Sequence, residues 1–153
     1  MIRIRLILGY QELGVAFSVN FYGYKDTALS CMNKKRYGEA VVHFEKAIET
    51  NGADDENYFF AAACLLGGRE AFAAERDTVD RIEKYLREAV RINAKGIYSY
   101  FQAYIRYDYF RRRGIAMLPD FLSYLLAAQK AGYSDAELAC FWEMLNVVRP
   151  YAL

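Results

Sequence analysis

The side chains able to do chemistry in this sequence are few and scattered. His43 is the one histidine, and as a general base it would need a nucleophile within hydrogen-bond reach, which no neighbour in sequence supplies. Its place one residue before Phe44 on a helical run suits a partly exposed structural side chain. Cys31, Cys64 and Cys140 form no CxxC pair. With a single histidine they offer few soft ligands, so no metal site and no cofactor are expected. Their odd count fits reduced thiols and a cytoplasmic setting, and Cys31 reads as a small buried hydrophobe. Neither a phosphate-binding glycine loop, a HExxH zinc helix nor a GxSxG nucleophile elbow occurs.

The stretch YSYFQAYIRYDYFRRR, residues 98 to 113, interleaves aromatic rings with arginine, a combination that could stack bases and hold phosphates. Helical packing accounts for the same rings, and cations at a helix C-terminus are favoured by the helix dipole without any ligand. Lys plus Arg is 20 against 19 for Asp plus Glu, a net charge of +1. No field of one sign therefore draws the chain to nucleic acid or to an anionic membrane. The run RDTVDRIEKYLREAVR alternates sign as a solvated, ion-paired helix face does.

The elements that carry these residues repeat. Tyr24, Ala28 and Cys31 recur 34 residues later as Tyr58, Ala62 and Leu65, then as Tyr100, Tyr104 and Tyr107, and finally as Leu138, Trp142 and Leu145. Phe44, Ala47, Ile48 and Asn51 recur as Leu86, Ala89, Val90 and Asn93, then as Tyr124, Ala127, Ala128 and Ala131. Each period reads as a helix pair, with spans over 21–34 and 37–51, 55–66 and 74–93, 97–113 and 119–131, and a last helix over 135–147. Asp54 or Asp55, and Ser134 with Glu137, have the spacing of N-caps, and Pro119 suits a first helical turn. Gly67-Gly68 suits a turn between helices. With only 2 prolines and 55% hydrophobic residues, the composition favours an ordered, all-α chain. Arg3 and Arg5 resemble a signal n-region, but the apolar stretch after them is short and runs into Gln11-Glu12. No run reaches the roughly 18 apolar residues that a membrane span needs.

The first unit resembles the tetratricopeptide repeat: Ala28, Tyr37, Ala40, Phe44 and Ala47 occupy signature positions, with Gly52 where that family usually has proline. The resemblance implies a right-handed superhelix of antiparallel helix pairs over residues 21–153. Its repeats would lie at about 21–54, 55–96 and 97–134, with a closing helix at 135–148. Small residues would let the helices of a pair approach while large ones fill the space between pairs. Two departures stand out. The second unit is too long around GGREAFAAERDTVD, and Tyr104, Asp120 and Trp142 hold slots usually given to small residues, which would widen the later pairs.

In that family the first helix of each pair lines a concave surface that binds peptides or helices of other proteins. Carried over position by position, the surface here comprises Tyr22, Lys25, Leu29, Met32 and Asn33, then Glu56, Phe59, Ala63 and Leu66, then Tyr98, Phe101, Ile105 and Asp108. Lys25 matches one member of the carboxylate clamp found in one subclass, but Leu29, Phe60, Tyr98 and Gln102 stand where the rest belong, so that clamp is absent. The resemblance implies a protein-interaction module rather than an enzyme, with an apolar, aromatic groove anchored by Phe59 and Phe101. Such a groove is either filled by a partner or covered by the chain itself. Lys25, Glu56 and Asp108 would be peptide-anchoring charges. Outside the repeats, residues 1–20 alternate apolar side chains from Ile2 to Leu8 and from Val15 to Val19. That favours two strands joined by GYQELG, packing on the array within one chain or exchanged in a homodimer. A helix is the competitor, weakened by Gly9 and Gly14.

Overall fold

The protein is described from a computed structural model covering residues 21–153, in which the regular elements are all helical. The strands expected within residues 2–20 lie outside the described residues. Seven α-helices follow one another: α1 (Phe21–Asn33), α2 (Tyr37–Thr50), α3 (Asp55–Leu65), α4 (Arg76–Ile92), α5 (Gly96–Ile105), α6 (Phe121–Ala131) and α7 (Asp135–Leu145). They pack as antiparallel neighbours in the pairs α1–α2, α3–α4 and α5–α6, with α7 laid against α3 and α5. None is long and apolar enough to cross a membrane.

Local chemistry sets the boundaries. Asp54 caps α3, its carboxylate accepting from the Glu56 N–H at 3.1 Å. A reciprocal capping box starts α7: the Ser134 hydroxyl accepts from the Glu137 N–H at 3.1 Å, and the Glu137 carboxylate accepts from the Ser134 N–H at 2.8 Å. Asp120 caps α6, accepting from the Ser123 N–H at 2.9 Å and from its hydroxyl at 2.8 Å. Pro119 therefore precedes the cap instead of sitting in the first turn, a correction to the expected start at 119. The helix expected over 97–113 changes character within its length. Past Ile105 it widens into a π-helical turn (Arg106–Phe110) and tightens into a 3-10 turn (Arg111–Arg113), ending where Gly114 adopts φ +71°. Four of the five side chains in the wide turn are buried, more than one face of an α-helical turn could place inside.

Small residues mark the close contacts between helices. Ala28, Ala40, Ala62, Ala89 and Ala128 are fully buried, and Phe44, Leu86 and Phe60 fill the space beside them. Ala62→Leu is expected to overpack the contact and to cost ~1–3 kcal/mol. Enlarging exposed Glu49 to leucine should be nearly neutral. Thermal melts of the two variants test this, and equal midpoints would mean that the alanine does not set the helix spacing.

The connection between α3 and α4 is tied down. Its short 3-10 turn (Ala71–Ala73) donates the Ala71 N–H to the Tyr104 hydroxyl at 3.1 Å and the Phe72 N–H to the Asp108 carboxylate at 2.8 Å. Arg112 reaches the other oxygen of Asp108 at 2.6 Å and stacks 4.5 Å from the Phe72 ring centroid. The extra residues of the second unit thus form a bracket onto the third.

Candidate functional site

The residues assigned by resemblance to a concave surface come from α1, α3, α5 and the π-helical turn that follows α5. Leu29, Met32, Phe59, Ala63, Leu66, Tyr98, Phe101 and Ile105 are buried, and so are Lys25 and Asp108. Glu56 is half-buried and Asn33 exposed, while the side chain of Tyr22 lies outside the described residues. The open apolar groove expected from the sequence is therefore not what these side chains form. Phe59 has ring centroids at 4.8 Å (Tyr98), 5.5 Å (Phe60), 5.9 Å (Phe101) and 6.4 Å (Phe141) around it. Phe101 lies 5.1 Å from Phe141. The two rings named as anchors for a partner are held instead by the chain's own closing helix.

The cause is visible at the slots where bulk replaced small residues. Trp142 meets Tyr104 edge-on at 5.1 Å and Tyr100 at 6.0 Å. The large side chains interlock in this way, and α7 lies close enough for Phe141 to reach past α5 to α3.

One end of the same three helices carries an ionic row. Lys25 Nζ lies 2.7 Å from Asp54 and 3.8 Å from Glu56, and Lys95 Nζ lies 3.5 Å from Asp55 and 3.9 Å from Glu56. The Tyr98 hydroxyl donates to Asp55 at 2.5 Å. Burial raises the pKa of the Glu56 carboxyl, and the two lysines oppose that shift. Burial, followed by the bond to Asp55, pushes the Tyr98 phenol well above its ordinary value. These charges bridge neighbouring helices. Of the three ionisable candidates, Lys25 and Glu56 come together. Asp108 does not join them: it sits at the other end of the third unit, accepting from Phe72, Tyr104 and Arg112. Burial also raises the thiols, Cys64 to about 12 and Cys140 to about 11, which suits packing over reactivity.

Two features escaped sequence reasoning. The first is an uncovered apolar row. Leu118, Leu122 and Leu126 are 87%, 51% and 66% exposed, and their spacing of four residues places Leu122 and Leu126 on one side of α6. That spacing was readable, but the repeat register picks out Tyr124, Ala127, Ala128 and Ala131 on this helix instead. The second is a cleft beside the π-helical turn, lined by Arg106, Arg111 and the 114–118 segment. No period in the sequence announces it, because it depends on how the turn widens. No protein-family model, curated protein or solved structure matches the chain.

Proposed function

We propose that the protein is an interaction module, a tetratricopeptide-like array that receives an amphipathic helix of another protein along the outer side of α6. The observation that carries this reading is the poor burial of that helix. Of its eleven residues, mostly apolar, only Phe121 and Ala128 are buried. An apolar row of this kind is what a helical partner with leucine-like anchors at matching spacing would cover. The stacking order supports the same place. The second helices of the first two pairs meet, the Tyr85 hydroxyl of α4 donating to Glu45 of α2 at 2.7 Å. On the far side of α6 no further second helix follows among the described residues. A partner helix would continue the stack.

Nucleic-acid binding draws little support from the arginine run, since Arg112 and Arg113 both stack on Phe72 and Arg112 also pairs with Asp108. A cytoplasmic setting, suited to three buried free thiols, belongs to the same proposal.

Leu122→Glu with Leu126→Glu tests the reading. Both positions are exposed, so the melting temperature should stay within a few degrees of wild type. Affinity capture from the native host, read by mass spectrometry, should retain a partner on the wild-type chain and lose it on the double variant. An unchanged set of captured proteins would overturn the assignment of this face. Light scattering separates the competing outcome: a wild-type dimer that the double variant abolishes would make the occupant a second copy of this chain.

A further inference from the structure

The cleft beside the π-helical turn has the size and the makeup of a small-ligand site. Its volume is about 640 Å³, within the range of pockets that hold small molecules. Phe110, Met117 and Phe121 supply apolar wall, and the polar side chains are Arg106, Arg111 and Asp120. Asp120 is committed elsewhere, since it caps α6 through Ser123. Arg111 stacks 5.2 Å from the Phe121 ring centroid, which holds its charge at the cleft wall.

Arg106 is the informative residue. It is only 7% exposed, and its guanidinium is fixed between Phe110 at 5.0 Å and Tyr124 at 5.6 Å. One terminal nitrogen pairs with Glu83 at 2.9 Å. The other two, Nε and Nη1, are buried without a hydrogen-bond partner. A guanidinium donor cut off from water and left unpaired is costly, and two on one residue are uncommon in a folded protein. Arg106 lines the cleft, so a ligand whose head displaces the wall around these atoms would bring an acceptor to them, and a charged acceptor would form the stronger bond. The position is also one where the helix departs from regular geometry, and π-helical turns recur at functional sites.

We infer that this cleft binds a small amphipathic anion, a single carboxylate or phosphate head paired to Arg106 and Arg111 on an apolar body lying against Phe110, Met117 and Phe121. The site adjoins the helix-docking face at Leu118 but does not depend on Leu122 or Leu126, which do not line it.

Calorimetric titration of the full chain with octanoate, octyl phosphate, 1-octanol and octylammonium, each below its aggregation concentration, tests the inference. One-site binding of at least one anion is expected, with octanol at least tenfold weaker and octylammonium silent. Whether the carboxylate or the phosphate binds more tightly identifies the head group, and either preference supports the site. Arg111→Gln should weaken anion binding severalfold at an unchanged melting temperature. Met117→Trp should fill the cleft and abolish binding. Arg106→Met combined with Glu83→Met removes the buried pair as a neutral unit and should erase the preference for anion over alcohol. If that pair variant does not fold, the other two still decide. Absence of heat with both anions, octanol binding as well as octanoate, or full binding by Met117→Trp would each overturn the inference. Leu122→Glu with Leu126→Glu should leave it untouched, so this site and the interaction face fail or stand separately.

Discussion

Gly96→Ala is expected to destabilise the protein by about 3 kcal/mol or more, the upper end of what overpacking costs. Gly96 opens α5 where that helix meets the end of α6. A Cβ placed there would stand 2.7 Å from the Ala128 carbonyl oxygen and closer still to that of Gly132. Both obstacles are backbone, and neither can turn aside as a flexible side chain would. Relief requires the α5–α6 pair to separate, although every residue of α5 is buried. For a chain of this size the melting temperature should fall by roughly 6–12 °C. Gly23, around which an added Cβ meets nothing within 4 Å, provides the matched control, and Gly23→Ala should be neutral or slightly stabilising. Calorimetric melts of both variants decide the point. A Gly96→Ala chain that melts with wild type would mean that the two helices do not approach as described.

Phe141→Ala should cost a similar amount, about 3–5 kcal/mol, as truncations of a buried phenylalanine do. The side chain is 2% exposed and is ringed by Phe59, Tyr100, Phe101, Tyr104 and Trp142. Its loss does more than leave a cavity, because Phe141 joins α7 to both α3 and α5. The variant should therefore bind a hydrophobic dye more strongly than wild type while keeping most of its helical circular dichroism. A loss below about 1 kcal/mol, with no added dye binding, would show that α7 is not what closes the aromatic face.

Much of the architecture was legible because it rests on local chemistry. The helix starts at Asp55 and Asp135 follow from Asp54 and Ser134, whose side chains bond the first free N–H groups. The alanines at 28, 40 and 62 announced tight contacts, and all are buried. The site was less legible, for a physical reason. Periodicity shows which side of a helix is apolar but not what covers it. Phe59 and Phe101 lie 5.9 Å apart on α3 and α5, yet only the fold shows that Phe141, forty residues beyond Phe101, packs against both. Leu122 and Leu126 raise the converse difficulty: exposed and buried leucines look alike in a sequence. The π-helical turn at Arg106–Phe110 carried no signal of its own, since its residue types suit an ordinary helix equally well.

The bracket between the α3–α4 connection and the third pair bears on how the molecule comes apart. In a chain of repeats joined only to their neighbours, stability is a sum of unit and interface contributions, and units can peel away one at a time. Here the Ala71 and Phe72 amides are bonded to Tyr104 and to Asp108, which is 1% exposed. Lifting the connection would strand a buried carboxylate and a buried phenol, and lifting the third pair would strand the same two amides. The second and third pairs therefore open as a single cooperative unit, and the fraying expected of a modular array is confined to the first pair, whose polar ties to the second include Lys25 to Asp54 and Glu45 to Tyr85.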